Sequence, residues 1–384
     1  MLGDQRALFS LPEDLRYLNC AARSPMLNAS HAAGLAALER QLVPQSTSPE
    51  AYFLGSESVR AKVGALMHTS PDRVALVPSV SYGLAIATYN HRVNKGHTVV
   101  VPEEEFLSDV YGWIAACQRG GGTLRPVPRP RAKADASARW SEAIVAAIDA
   151  STSVVNLSTV HWTDGLIFDV VSIARRAREV GALVVIDATQ SVGAVPFDYD
   201  EVQPDLLLCA DYKWLFGPYQ LGVAIVGDRL LEGDPFEHHW SNRAGSENTS
   251  GTDYLHEFRD GARKFDVGEH VNDINLSMLD VSLDQVLAWG PNNIEAYCRQ
   301  LLQPLENYLG DSPYQTSGAG EHCAHILGVR SDDDALLGRA AEQMVARNIR
   351  ISRRGSALRI SPHLYNTRDD IDAVIEGLDV ATTR

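Results

Sequence analysis

Apolar residues along this chain gather into short runs separated by stretches with helical period. Runs at 74–77, 98–101, 154–157, 183–186, 206–209 and 222–226 are rich in Val, Ile and Leu and almost free of polar positions. Continuous runs suit strands buried on both faces of a parallel sheet, whereas a half-exposed strand would alternate. A weaker run at 123–127 raises the count to six or seven strands. Between runs the period changes. After Asp169 as N-cap, Val170, Ile173, Ala174, Ala177 and Val180 share one helical face, and Gly181 supplies the stop. A strand–helix–strand rhythm of this kind predicts an α/β fold with a mostly parallel sheet.

The rhythm breaks near residue 255. A long helical stretch covers 275–309, with Pro291 and Pro304 as expected breaks or kinks. Strand-like 324–329, a helix over 334–346, strand-like 349–353 and 358–361, and a last helix from Thr367 follow. Thr367 and Asp370 form a capping-box pair, and Ile371, Val374, Ile375 and Leu378 make the apolar face. The pattern predicts a large unit over 21–254 and a smaller α+β unit over 255–384, with 1–20 as a separate N-terminal segment. The polar, turn-rich stretch 234–253 reads as a surface loop between them.

Composition narrows the function. The net charge is −15 over 384 residues, so bulk attraction to a phosphate backbone is missing and a general nucleic-acid binder is disfavoured. A local basic pocket for one small anion is compatible with that charge. The five cysteines are widely spaced and contain no CxxC, which fits neither a disulfide framework nor a zinc ribbon. They point to a reducing compartment, and the expected location is the cytoplasm. The first residues carry Asp4, Glu13 and Asp14 and lack the apolar run of a secretory signal. No stretch is apolar for long enough to cross a membrane. The His322, Cys323 and His325 spacing is that of neither a helical ligand pair nor a finger, so no metal site is expected.

Three segments fall where ligands bind in open α/β sheets, beyond the carboxyl ends of strands. Pro78-Ser79-Val80-Ser81-Tyr82-Gly83 joins a strand to a helix, and its hydroxyls and N–H groups suit a phosphate. Asp187 ends the run 183–186; a carboxylate there needs a cation or donors to offset desolvation. Lys213 sits within Tyr212, Trp214, Leu215 and Phe216, an apolar setting that lowers an amine's pKa and makes it nucleophilic. Phosphate site, strand-end acid and desolvated lysine are together the parts that hold pyridoxal 5′-phosphate (PLP).

Here the chain resembles the class V aminotransferase-fold enzymes, the fold-type I PLP group that includes cysteine desulfurases, kynureninases and isopenicillin N epimerases. The resemblance rests on VIDATQSVGAVPFDYDEVQPDLLLCADYKWLFGPYQLG over 185–222, with Asp187 and Lys213 separated by 26 residues. It continues in YLNCAARSP at 17–25, EEEFLSDVYGW at 103–113, RKFDVGEHVN at 263–272 and LRISPHLYNT at 358–367. The resemblance implies a seven-stranded large domain and an N-terminal segment packed near the active site. Lys213 would hold the cofactor covalently and shuttle protons, with Asp187 keeping the pyridine nitrogen protonated. Gln190 would approach the phenolic oxygen and Phe106 would stack on the ring. Val80, Ser81 and Tyr212 would hold the phosphate, and Asp164 would bear on the cofactor or substrate. Arg359 would bind the substrate carboxylate, with Asn19 and Arg23 nearby. The family's build implies a homodimer.

Some residues depart from the family's pattern. Tyr212 stands where desulfurases usually carry His, and Ala210 where a phosphate-binding Ser is common. Gly268-Glu269 replaces a Gly-Thr that often reaches a neighbouring subunit's phosphate. The loop 353–357, before Arg359, lacks the mobile cysteine that persulfide chemistry requires. The expected function is therefore a PLP enzyme acting on an amino acid by a β-lyase-type reaction, cleaving C–S or C–C through a Cα carbanion. An aminotransferase, an epimerase and a non-catalytic binding protein are the alternatives.

Overall fold

The computed structural model describes residues 2–43, 49–130, 135–248, 250–318 and 320–383. In chain order the strands are β1 (Arg16–Tyr17), β2 (Val74–Val77), β3 (Thr98–Pro102), β4 (Thr123–Val127), β5 (Thr152–Ser158), β6 (Leu183–Asp187), β7 (Leu206–Ala210), β8 (Gly222–Val226), β9 (Leu327–Arg330), β10 (Ile349–Arg350), β11 (Ser352–Arg354) and β12 (Ala357–Ile360). All seven runs expected from the apolar pattern, including the weak one at β4, join one sheet in the order β2-β8-β7-β6-β5-β3-β4. β3 to β7 pair in parallel, and β8 alone is reversed, lying antiparallel to both β2 and β7. β2, β3, β5, β6, β7 and β8 are buried along their whole length, which is why their runs carry almost no polar residues. The sheet is the large mostly parallel sheet of a fold-type I architecture.

The helix Val170–Glu179 starts at Asp169, whose carboxylate accepts the Ser172 N–H at 3.0 Å. Gly181 follows it at φ +78, a left-handed position that suits a residue without Cβ. The long helical stretch is two helices, Asp273–Trp289 and Pro291–Gly310. The break falls at Gly290, with Pro291 in the first turn, where its missing N–H costs nothing. Pro304, by contrast, lies inside the second helix, which continues past it.

β11, β12 and β9 form an antiparallel sheet, and β1 pairs in parallel with β10. Leu18 joins the apolar cluster of this part, among Leu302, Leu305, Leu337, Ile360 and Leu378. The last helix, Arg368–Thr382, carries the full capping box of Thr367 and Asp370. Helix Asp273–Trp289 buries Leu276, Leu279, Leu283 and Val286 in the core cluster of the large sheet. No helix among the described residues is long and apolar enough to cross a membrane.

Candidate active site

The carboxyl ends of β2, β3, β5, β6 and β7 converge on one cavity of about 600 Å³. Pro78 to Ser81 follow β2, Glu105 and Phe106 follow β3, and Ser158 ends β5. Asp187 ends β6, and Tyr212 and Lys213 follow β7. Arg354 and Arg359 reach the same cavity from the three-stranded sheet. Parallel strands bring their carboxyl ends to one edge, so residues far apart in sequence meet there.

Lys213 is 9% exposed. Its Nζ lies 5.7 Å from the centroid of the Phe106 ring and 5.8 Å from that of Tyr212. Burial pushes the amine down to about 8, against the opposing pull of Asp187. A neutral amine is thereby accessible near physiological pH. Asp187 Oδ1 accepts the Thr189 N–H at 2.8 Å, which fixes the carboxylate at the strand end.

Two further carboxyls stand beside Asp187, and sequence reasoning missed both. Glu105 is buried, and its oxygens accept the Phe106 N–H at 2.7 Å, the Ser158 N–H at 2.8 Å and the Ser158 hydroxyl. Asp109, in the first turn of helix Leu107–Gly120, is 1% exposed, and neither of its carboxylate oxygens has a hydrogen-bond partner among the described residues. Burial first, then the charges of Asp187 and Glu105, push Asp109 well above the usual carboxylate range. A second buried charge there is costly, so Asp109 favours its protonated form. The signal was in the helix pattern: Asp109 occupies the stripe completed by Trp113, Ala116 and Cys117, a polar residue on a buried face.

Ser79 caps helix Val80–Asn90, its Oγ accepting the Tyr82 N–H at 3.2 Å and lying 3.0 Å from Ser81 Oγ. The hydroxyls and the N–H groups of this first turn make an anion cradle on the cavity wall. The Gln190 amide is held on both sides, donating to Ala21 C=O at 3.1 Å and accepting from Trp214 Nε1 at 2.9 Å. Behind it His325 Nε2 donates to Gln190 C=O at 2.6 Å. Arg359 is 1% exposed, and its Nη1 donates to Trp162 C=O at 2.6 Å, while Nε has no protein partner.

Three expected site residues are not in the cavity wall. Asp164 is turned into a buried ion-pair cluster with Arg129 and Arg330, the latter at 2.9 Å. A hydrogen bond to His161 and those cations hold its carboxyl far below the ordinary range even against burial. Asn19 Oδ1 accepts the Ser352 hydroxyl at 2.7 Å, tying the N-terminal segment to β11. Arg23 stands at the rim, its guanidinium 4.0 Å from the centroid of Tyr219, which stacks on Tyr212 at 4.1 Å. Gly268 and Glu269 also lie off the cavity wall, and the Glu269 carboxylate is 3.5 Å from His239.

The residues present fit PLP. A desolvated lysine amine, a fixed carboxylate, an aromatic ring and an anion-binding helix start surround one space of suitable size.

The profile of the aminotransferase class-V family matches residues 45–374, so the chain belongs to that family, one of PLP-dependent enzymes. Among particular proteins, it is 24% identical over 339 residues to a cysteine desulfurase of Enterobacter sp. (strain 638), covering 84% of this chain and 81% of that protein. It is 25% identical over 335 residues to the isopenicillin N epimerase of Streptomyces clavuligerus, covering 84% and 83%. Among solved structures, a lysine-to-alanine variant of C-DES with glycine covalently linked to its PLP cofactor superposes with a TM-score of 0.86 at 16% identity, covering 97% of this chain and 98% of that one. The cystine C–S lyase C-DES in complex with cysteine persulfide gives 0.83 at 17% identity, covering 94% and 96%.

Proposed function

We propose that this enzyme cleaves a C–S bond at Cβ of an amino acid, using PLP and no enzyme thiol. The observation that carries the reading is a cavity with a buried lysine facing a fixed carboxylate and no cysteine in its wall. All five cysteines are buried free thiols. Burial raises the thiol pKa of Cys20, next to Ala21 of the cavity wall, to about 12 and pushes that of Cys209, next to Ala210, well above its usual range, so neither is a ready nucleophile. Direct elimination needs no such thiol. The likeness to cysteine desulfurases and to a cystine C–S lyase supports the reading.

Each side chain has a task in this scheme. PLP, when bound, draws electrons from the substrate's Cα. Lys213 Nζ takes the Cα proton as a neutral amine. Asp187 would hold the ring-nitrogen proton, the first turn of helix Val80–Asn90 would take the phosphate, and Phe106 would pack against the ring. Arg359 grips the substrate carboxylate, for which a planar guanidinium is shaped. The scissile bond breaks between Cβ and sulfur; the sulfur leaves with a proton, as a thiol from a thioether or a persulfide from a disulfide, and one water hydrolyses the remaining three-carbon unit to pyruvate and ammonia. We assign residues 21–254 to a cofactor-binding domain and 255–384 to a smaller one, with 1–20 closing near the site. We further propose a homodimer located in the cytoplasm, in keeping with five unpaired cysteines.

The test is product analysis with a thioether or disulfide amino acid. Pyruvate, ammonia and a thiol (from the thioether) or a persulfide (from the disulfide) in equal amounts support the lyase. Turnover that requires a keto acid as amino acceptor replaces it with an aminotransferase.

A further inference from the structure

We infer that Arg354 makes this cavity a two-anion site, so that the preferred substrate is an amino acid carrying a second carboxylate beyond the scissile bond. The inference rests on the reading of the cavity as an amino-acid site and names the class of substrate it takes.

The hairpin of β11 and β12 carries the argument. Arg354 lies directly opposite Ala357, and Arg359 is two residues further along β12. Opposite residues share a face, and residues two apart along a strand share it too. Arg354 and Arg359 are therefore diagonal neighbours on one face, about 7–8 Å apart at the backbone. Both line the cavity.

Arg354 has no carboxylate partner among the described residues, whereas the arginines around it do. Arg353 pairs with Asp334, Arg330 with Asp164, and Arg129 with Asp164 and Glu104. The one hydrogen bond Arg354 donates goes to the backbone C=O of Arg353, at 3.3 Å. The acids that line the cavity are engaged elsewhere: Glu105 with Ser158 and Phe106, and Asp187 with Thr189. A second guanidinium facing the same space opposes the charge of Arg359 and lowers its pKa further, beyond the effect of burial. Two like charges on one face of a hairpin are unfavourable unless anions lie against them.

One anion is the α-carboxylate at Arg359. The other belongs to the far end of the substrate, because the phosphate cradle of Ser79 and Ser81 lies across the cavity on a different element. Arg23, whose guanidinium stands over the ring of the cavity residue Tyr219, adds a further cation at the rim. The fitting substrates are S-linked amino acids whose far half ends in a carboxylate.

The experiment uses two matched pairs on the holoenzyme. S-Carboxymethyl-L-cysteine and S-ethyl-L-cysteine differ in the terminal carboxylate and compare kcat/KM. L-2-Aminoadipate and L-norleucine are their carbon counterparts, have no C–S bond, and compare affinity by absorbance titration. The wild type should favour the carboxylated member of each pair by about tenfold or more, the scale of a charge-assisted contact. Arg354→Gln should erase most of that preference, and Arg354→Glu should invert it. A preference for aminoadipate that Arg354→Gln removes upholds the inference even when neither thioether is cleaved, an outcome that sinks the lyase reading alone. Equal affinity for aminoadipate and norleucine in the wild type, or an undiminished ratio in Arg354→Gln, overturns it.

Discussion

Lys213 combines burial with a nearby carboxylate, and the two pull its amine in opposite directions. Burial wins, bringing the pKa to about 8, so the nucleophilic form appears roughly two pH units below an ordinary lysine. Capture of PLP by the apo-protein should accelerate as pH rises and level off above about 8. A stopped-flow absorbance profile still climbing steeply at pH 10 would contradict the burial account. Lys213→Ala should yield no borohydride-trappable cofactor by mass spectrometry and no turnover. Arg359 makes a different kind of contact. Only one of its nitrogens is held by a protein acceptor, and the buried Nε is left for a ligand. Arg359→Lys keeps the charge but loses the fork, and should raise KM by about 10–100-fold, the worth of one charged hydrogen bond. An unchanged KM would remove Arg359 from the carboxylate site.

Asp109 offers a test in the apo-protein. Its carboxyl is raised in the folded state, so the native protein holds a proton that the unfolded chain releases once pH passes the ordinary Asp range. Native stability therefore falls as pH climbs through that window, because the fold must either keep the proton or bury a second charge beside Asp187. Asp109→Asn removes this penalty. The variant should match the wild type in acid and exceed its Tm increasingly toward neutral pH. A pH-independent difference between the two would show that Asp109 does not hold a proton in the folded protein.

At the scale of elements, six strand runs were readable because a strand covered on both faces must be apolar throughout, whereas β4, partly exposed, left only the weak run at 123–127. Asp187 and Lys213 were readable for the same reason, each standing directly after such a run. Asp164 was not. Its carboxylate is claimed by Arg129 and Arg330, partners 35 and 166 residues away, and no local pattern encodes such pairings. Asp109 needed a helix face to be weighed for polar intruders as well as for apolar period. The support beneath Lys213 was also invisible, because it depends on one backbone conformation. Gly193 adopts φ +88, and a Cβ there would come within 2.7 Å of Trp214 C=O and 2.8 Å of Leu215 Cδ2. The turn that carries Gln190 thus packs backbone to backbone against the Lys213 loop. Gly193→Ala should cost about 2 kcal/mol or more, from the left-handed conformation together with the clash. Urea denaturation reads the loss, and weaker PLP retention should accompany it. A variant as stable as the wild type would mean that the two loops are not locked together.

For the whole molecule, the question is what covers the outer face of the helices Asn28–Leu42 and Leu54–Leu66. Leu35, Leu38 and Leu42 recur at helical spacing and are 49%, 48% and 80% exposed, and Val43 and Leu54 beside them are 69% and 64% exposed. Single exposed leucines are ordinary on a monomer, but five large apolar side chains within two neighbouring elements are not. Each contributes about 1.5–3 kcal/mol if fully buried, enough together to hold two chains against the entropy of association. Because the helices pack on Asp273–Trp289, which is itself embedded in the core of the large sheet, a partner seated here would rest on a rigid surface. The expected state is a closed two-fold dimer, in which the same patch meets its own copy. Light scattering should give twice the chain mass at assay concentration. Leu42→Asp, a substitution at the most exposed of the five, should weaken the dimer by tenfold or more in sedimentation experiments while leaving the far-UV spectrum intact. A wild-type protein that is monomeric and fully active at nanomolar concentration would reject the homodimer, and a dimer untouched by Leu42→Asp would move the interface to another face.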